Sequence, residues 1–167
     1  MYEQPPLSST HQGNGVPEIA RELPVEALEL AAKLFNLARA GDHATLLPYL
    51  QAGIPPNLTN HSGDTLLMLA AYHNHPVLVS DLLARGSDPN VLNDKSQSPL
   101  AGAVFKGHEE VVRVLVEEGQ ADIRAGKPSA VECAAMFKRW ESAKNMGVEA
   151  ECKALSPNLN LVGSRNP

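Results

Sequence analysis

The chain repeats itself with a fixed period, and this period constrains its fold more than any other feature of the sequence. The segment GDTLLMLAAYHNHPVLV, from position 63, matches SQSPLAGAVFKGHEEVV, from position 96, in its apolar, small and polar positions. Leu67 matches Leu100, and His75 matches His108; the members of each pair are 33 positions apart. Such a period predicts a solenoid in which one supersecondary unit is stacked several times.

The period extends to both sides of this pair of segments. One period earlier, Gly53 matches Gly86 and Asn57 matches Asn90, so the first long helix opens another copy. A fourth, degraded copy begins near Ser129, after a shorter connecting loop. We therefore predict about four units, which cover residues 27–59, 60–92, 93–125 and 126–150.

Each unit is predicted to contain two antiparallel helices. Thr65 and Ser98 are placed to cap the first helix by accepting a backbone N–H. Asn74 and Gly107 break the chain before a second helix. Neither helix pair can bury its apolar face without the next unit beside it. The predicted fold class is all-α, a helix-turn-helix solenoid with short hairpin-like turns between units.

The pattern within one unit resembles the ankyrin repeat. It consists of G-x-T-x-L-x-x-A-A, a G-H-like break, V-V-x-x-L-L and G-x-D-x-N, and it covers about Ala31 to Met146. The segments NLTNHSGDTLLMLAAYH and VLNDKSQSPLAGAVFKGHEEVV are also similar to small stand-alone ankyrin proteins of microbes. Where the family has T-P-L-H, this chain has TLLM and SPLA.

The sequence outside the repeats differs in composition. Residues 1–23 are rich in Pro, Gly, Ser, Gln and Asn and lack a sustained apolar period, which predicts a flexible N-terminal tail. From Pro24 onward, apolar residues recur at spacings of three and four and predict a helix. We predict that the repeat domain covers residues 24–155 and that residues 156–167 form a flexible C-terminal tail.

The charge of the chain excludes some classes of partner. Fourteen basic and 19 acidic residues give a formal net charge of -5, which is the wrong sign for binding a phosphate backbone, so we expect no nucleic acid partner. No stretch approaches about 20 consecutive apolar residues, so we expect no membrane partner. The two cysteines, Cys133 and Cys152, form no C-x-x-C motif, which favours a reducing compartment. We expect a cytoplasmic location, or a nuclear one if the source is eukaryotic.

Two short segments gather reactive residue types, but each is better explained as a turn. HSGD, from position 61, contains a nucleophile, a base and an acid, yet a catalytic triad is a spatial arrangement and this stretch precedes a helix cap. GKPS, from position 126, lacks the first glycine of a phosphate-binding loop. We therefore expect no enzymatic activity and no cofactor.

The histidines invite a metal-site hypothesis. His73 and His75 lie near His61 in sequence, and His108 and Cys133 follow. No helical i, i+4 pair and no C-x-x-C motif organises them as ligands, so we expect no metal. We interpret His75 and His108 as structural residues that bond the backbone at the start of the second helix.

The ankyrin resemblance implies a concave surface that binds other proteins. In that family it is formed by the tips of the turns and the exposed face of the first helices. Carried over residue by residue, it selects Arg39, His61, Ser62, Asp64, Tyr72, His73, Asp94, Lys95, Gln97, Phe105, Lys106 and Met136.

Four of these positions are equivalent and predict a stripe across the units. Arg39, Tyr72 and Phe105 lie one period apart, and Met136 is their match in the last unit. Arg, Tyr, Phe and Met are enriched at the centres of protein interfaces. Two interpretations stay open: the stripe binds a partner, or its aromatic side chains fill gaps between repeats.

The sequence thus predicts a non-catalytic adaptor or inhibitor that binds an unidentified partner protein on the concave surface and is monomeric alone. The alternative is an assembly subunit that docks through the helix from Val25 and the end repeats.

Overall fold

The computed structural model describes residues 24–159, with side chains described as far as residue 156. The flexible tail predicted for residues 1–23 lies outside the described residues. So do residues 160–167 of the predicted C-terminal tail.

Nine helices follow one another in the described part of the chain. They are α1 (Val25–Ala40), α2 (His43–Gln51), α3 (Leu66–Tyr72), α4 (Pro76–Ala84), α5 (Pro99–Lys106), α6 (Glu109–Glu117), α7 (Ala130–Met136), α8 (Trp140–Asn145) and α9 (Glu149–Leu159). Within residues 24–159 the only β pairing is an isolated antiparallel bridge between Thr59 and Thr65, at the turn before α3. None of these helices is long and apolar enough to cross a bilayer.

The helices form two layers. Helices α1, α3, α5, α7 and α9 pack side by side in chain order and make up the first-helix layer. Helices α4, α6 and α8 pack side by side behind it, and α2 packs on α1. The pairs α1/α2, α3/α4, α5/α6 and α7/α8 form successive helix-turn-helix units, so the all-α solenoid expected from the period is confirmed.

Equivalent residues from successive units build one continuous core. The same position in each unit is a large aliphatic side chain with 1% or less of its surface exposed, as seen for Leu34, Leu67, Leu100 and Val131. Buried alanines such as Ala103 accompany them and let the first helices approach closely. Burial of one such leucine contributes about 2 kcal/mol, so the stacking of units, rather than any single unit, stabilises the fold.

The predicted caps of the first helices are present. The hydroxyl of Thr65 accepts a bond from the N–H of Met68 at 3.1 Å, and that of Ser98 accepts one from Ala101 at 3.1 Å. Ser129 caps α7, where the carboxylate of Glu132 also accepts from the N–H of Ser129 at 2.7 Å. The three caps fix where α3, α5 and α7 begin.

Helix α9 adds a further first helix to the array. It packs on α7 and α8 and continues past Leu155, where the sequence placed the end of the repeat domain. Cys152 is fully buried in it, and the carboxylate of Glu151 accepts two bonds from the guanidinium of Arg124, at 2.8 and 3.0 Å. A solenoid needs such a terminal element, because its last unit would otherwise expose an apolar face.

Candidate partner-binding surface

The first helices of the first three units, α1, α3 and α5, are each tied at the C-terminal end to the next unit. A side chain that stands just before the second helix reaches back and donates a hydrogen bond to a carbonyl oxygen of the preceding unit. The bonds run from His75 Nε2 to Arg39 at 2.7 Å, from His108 Nε2 to Tyr72 at 3.1 Å and from Arg139 Nη2 to Phe105 at 3.1 Å. We call this set the inter-repeat ladder.

The ladder corrects the role predicted for the two histidines. We expected His75 and His108 to bond the backbone at the start of their own second helix, and that expectation is wrong. Neither caps its helix by a side-chain bond, and each partner carbonyl lies 36 residues earlier in the chain. Both residues connect units.

The backbone around the ladder is shaped to admit these side chains. Gly41 has a φ of 70°, and a Cβ at that position would collide with the imidazole ring of His75. The equivalent residues Asn74, Gly107 and Lys138 also have a positive φ, of 64°, 75° and 53°. The left-handed conformation ends each first helix and leaves room for the ring or guanidinium of the next unit.

The predicted stripe lies directly above the ladder. Its members, Arg39, Tyr72, Phe105 and Met136, occupy the last turn or last residue of successive first helices, and we call them the row. Tyr72 is 39% exposed, Phe105 42% and Met136 47%, while Arg39 is half-buried. Three of the four carbonyl oxygens beneath the row accept the ladder bonds, so its backbone is held in place.

Tyr72 is both packed and accessible. Its Cδ2 atom lies 3.5 Å from where a Cβ of Gly102 would stand, and Lys106 Nζ lies 4.9 Å from its ring centroid. The missing side chain at Gly102 leaves space for the tyrosine ring on α5. Tyr72 therefore bridges two units and still exposes part of its surface.

Phe105 is paired with an aromatic side chain that the sequence analysis did not select. Its ring contacts that of Phe137 edge to face, with centroids 5.0 Å apart. Phe137 is 44% exposed and extends the row next to Met136. The fourth unit is shorter than the others, and in it Phe137 occupies the position of Lys106. Because that position is not aromatic in the third unit, matching by the period did not select Phe137.

Basic residues stand beside the row. His73 follows Tyr72, Lys106 follows Phe105, and Lys138 lies just beyond Met136. Burial lowers the pKa of His73, and electrostatic repulsion from the basic side chains nearby, among them Arg39 and Lys106, lowers it further. Arg39 and Lys106 are the permanently charged groups among its neighbours.

The turn tips form a second group of predicted residues, part of which is engaged within the protein. Asp64 accepts bonds from Asn60 Nδ2 at 3.1 Å and from Asn93 Nδ2 at 2.9 Å, so its carboxylate joins two successive turns. Asn93 also bonds Gln97, through Oε1 at 3.1 Å and through the backbone N–H at 2.9 Å. Asp64 and Gln97 therefore shape the turns.

Three tip residues remain open to solvent. His61, Asp94 and Lys95 are exposed, and the N–H of Asp94 bonds the carbonyl of the half-buried Ser62 at 3.0 Å. The tips precede the N-terminal ends of the first helices, whereas the row lies at their C-terminal ends. A helix of about seven residues is about 10 Å long, so the two groups flank the first-helix layer.

The described residues offer little reactive chemistry. Residues 24–159 contain no group of three or more His, Cys, Asp or Glu side chains that could hold a metal ion. Cys133 and Cys152 are free and buried, and burial raises the pKa of the Cys133 thiol to about 11. A buried neutral thiol is a poor nucleophile.

Named proteins from bacteria and mammals are similar to parts of this chain. Ankyrin repeat protein PA3287 of Pseudomonas aeruginosa is 56% identical over 54 residues, which is 32% of this chain and 32% of that protein. NF-kappa-B inhibitor delta of Mus musculus is 34% identical over 70 residues, 41% of this chain and 21% of that protein. NAD-capped RNA hydrolase NUDT12 of Homo sapiens is 34% identical over 90 residues, 52% of this chain and 19% of that protein. The chain thus spans about a third or less of these relatives.

The family itself is identified by a match that covers most of the chain. The model described as ankyrin repeats in three copies matches residues 34–144. Ankyrin repeats are generally protein–protein interaction modules, and the family is typically non-catalytic. The chain belongs to the ankyrin repeat family.

Proposed function

We propose that the protein is a non-catalytic adaptor or inhibitor that binds a partner protein through the row and the exposed turn tips. The observation that carries this proposal is the exposure of large apolar side chains at equivalent positions above a fixed backbone. Binding loses less entropy when the surface is already held in its bound shape, and the inter-repeat ladder holds this one.

The apolar surface is concentrated rather than scattered. Of the eight large hydrophobic side chains that are exposed in the described residues, half lie together at this end of the first helices: Tyr72, Phe105, Met136 and Phe137. Single exposed apolar side chains need no explanation, but a contiguous group indicates a site of interaction. Aromatic and methionine side chains are also the types that contribute most at interface centres.

An inhibitory role has a parallel among the relatives. NF-kappa-B inhibitor delta of Mus musculus is similar to 41% of this chain. Its name describes an inhibitor of another protein, and a surface that buries a segment of its partner can block that segment as well as recruit it. We place the protein in the cytoplasm as a monomer, in keeping with the free thiols of Cys133 and Cys152.

Affinity capture from a lysate of the source organism tests the proposal. We expect full-length protein to retain a partner and the double variant Tyr72→Ala/Phe105→Ala to lose it, with the melting temperature within a few degrees of the parent. Val77→Ala is the matched control, since Val77 is 66% exposed on α4 in the other layer. Loss of the fold in the double variant, or unchanged capture, would contradict the proposal.

A second candidate is an assembly subunit that docks through α1. Helix α1 has 16 residues, against seven in α3 and eight in α5, and it exposes Val25 at 65% and Leu28 at 52%. Size-exclusion chromatography with light scattering tests self-assembly, and Val25→Ser/Leu28→Ser should then dissociate the oligomer. A clean monomer at micromolar concentration would count against docking onto a second copy.

A further inference from the structure

Carboxylates are scarce at the C-terminal ends of the first helices, where the row lies, although the whole chain has a net charge of -5. In α1 and α9 the acidic residues lie in the first two turns of the helix. Helices α3 and α5, at the centre of the first-helix layer, contain no carboxylate. In α7, Glu132 lies at the opposite end of the helix, where its carboxylate accepts a hydrogen bond from the N–H of the cap residue Ser129. The carboxylates of the first helices therefore lie toward the N-terminal ends, away from the row. Acids do follow the row at the starts of the second helices, but they are engaged there: Asp42 caps α2, Glu109 bonds Ser142, and Glu141 pairs with Lys144.

The carboxylates of the second layer and of α9 are largely paired with cations of their own. Arg113 bonds Glu110 and Glu117 on α6, and Lys153 bonds Glu149 on α9. Of the five ion pairs within the described residues, none includes a cation beside the row.

The cations beside the row make other contacts. Arg39 Nη1 donates to the amide oxygen of Asn36 at 2.9 Å, and Lys106 stands over the ring of Tyr72. Lys138 is exposed, and the partly buried Arg139 has one guanidinium nitrogen, Nε, without a hydrogen-bond partner. Arg39, Lys106 and Lys138 can therefore offer positive charge to an incoming ligand without first having to leave a carboxylate.

Building on the proposed function, we infer that the partner segment bound by the row is acidic, with carboxylates interleaved with apolar side chains. The carboxylates face Arg39, Lys106 and Lys138, and the apolar side chains contact Tyr72, Phe105, Met136 and Phe137. Such complementarity speeds association and excludes basic or purely apolar competitors.

The spacing of the row sets the length of the segment. Packed helices lie about 8–10 Å apart, so a row across four first helices extends over about 30 Å. An extended peptide of about 12 residues reaches about 40 Å and can contact every member. A single-stranded nucleic acid also offers anions and flat rings, but the exposed Asp94 and the net charge of -5 oppose a long polyanion.

Selection from a random peptide library tests the inference. The full-length protein and the double variant Tyr72→Ala/Phe105→Ala are each used to select from a displayed library of about 12-residue peptides. We expect peptides that bind only the parent to contain about twice as many Asp and Glu residues as the starting library. Binding should weaken when salt rises from about 0.1 M to about 1 M, which shortens the screening length from about 10 Å to about 3 Å.

Charge reversal supplies the second measurement. The variants Lys106→Glu and Lys138→Glu should each bind the selected peptides with about tenfold lower affinity than the parent. Lys144→Glu is the matched control, since it makes the same charge change on α8, where Lys144 is exposed and forms a long contact of 3.8 Å with Glu141. It should leave binding unchanged.

The outcomes separate the two levels of the proposal. The selected peptides could depend on the row and yet lack acidic enrichment, or bind both charge-reversal variants as well as the parent. Either result would overturn the inference that the partner is acidic, while the proposed binding function would stand. If a (dT)15 oligonucleotide displaced the selected peptides and bound more tightly than they do, the partner would be a nucleic acid and the inference of an acidic protein segment would be overturned. A selection that yields no row-dependent peptide overturns the acidic partner and the binding role of the row together.

Discussion

His75 Nε2 lies 2.7 Å from the carbonyl oxygen of Arg39, a residue 36 positions earlier in the chain. The bond joins the start of the second helix of one unit, α4, to the end of the first helix of the unit before it, α1. Since Arg39 is a member of the row, the same contact that stacks two units also fixes part of the candidate binding surface. Stability and recognition are therefore coupled at this end of the first helices.

Removal of the His75 ring should destabilise the protein measurably. His75→Ala leaves the partly covered carbonyl of Arg39 without its donor, and the loss should lower the free energy of unfolding by about 1–2 kcal/mol. Urea denaturation followed by circular dichroism measures it. The effect of His108→Ala should be smaller, because its bond to Tyr72 is longer, at 3.1 Å.

His61→Ala is the control for this prediction. His61 lies exposed at a turn tip, and its replacement should change the free energy of unfolding by less than about 0.5 kcal/mol. Equal losses for His61→Ala and His75→Ala would show that the ladder bond adds nothing to stability.

Gly41 should resist substitution because of the same imidazole ring. Gly41→Ala combines an unfavourable positive φ with a collision against His75, whereas Gly53 has a φ of 101° and no atom near its missing Cβ. Backbone strain costs about 1 kcal/mol at either position, and the collision should add about 1–3 kcal/mol at Gly41 alone. Denaturation of both single variants measures the difference.

A double-mutant cycle separates collision from strain. In a His75→Ala background the ring is absent, so Gly41→Ala should cost only about as much as Gly53→Ala. If the cost of Gly41→Ala stayed the same with and without the ring, the collision would have no energetic role.

The sequence predicted those parts of the fold that depend on neighbours along the chain. Thr65 and Ser98 were recognised as caps because a cap bonds an N–H three residues ahead. The hydrogen-bond partner of His75 was not recognised, because it lies a whole unit away along the chain. The full length of helix α9, EAECKALSPNL, was not predicted. Its sequence is short and polar and contains Ser-Pro, so it has a weak helical pattern, and tertiary packing stabilises it.

The candidate surface was predictable to a similar extent. A fixed period placed Tyr72 and Phe105 at equivalent positions, and both are exposed. Phe137 was missed because the shortened fourth unit shifts the alignment by two positions. The engagement of Asp64 by Asn60 and Asn93 was missed because it depends on how successive turns stack.

Gly102 offers a substitution that should stabilise the protein. It lies inside α5 without a positive φ, and an added Cβ would meet Tyr72 Cδ2 at 3.5 Å, an ordinary contact distance. Glycine inside a helix costs about 1 kcal/mol relative to alanine, so Gly102→Ala should raise the free energy of unfolding by about 0.5–1 kcal/mol. Thermal denaturation measures the gain.

A larger side chain at Gly102 provides the contrast. Gly102→Leu would fill the space that the Tyr72 ring now occupies, and should raise the exposure of that ring and reduce any gain in stability. If Gly102→Ala lowered the melting temperature, the tyrosine would have to be packed more tightly on α5 than the structure indicates.

Stability at alkaline pH should depend on Cys133. Its thiol is buried, and burial followed by the charge of Glu132 raises its pKa from the ordinary value of 9.0 to about 11. The unfolded chain therefore loses this proton at lower pH than the folded one, and the free energy of unfolding must fall as pH rises from about 9 to about 11. Below about pH 8 both states keep the proton, and the dependence disappears.

Comparison with Cys133→Ala isolates this contribution from other groups that titrate in the same range. The variant loses some packing at every pH, but its stability should fall less steeply than that of the parent between about pH 9 and about pH 11. Urea denaturation at three pH values in that interval measures both slopes. Parallel slopes would mean that the thiol reaches solvent in the folded protein, in which case a thiol-specific reagent should also label Cys133 without denaturant.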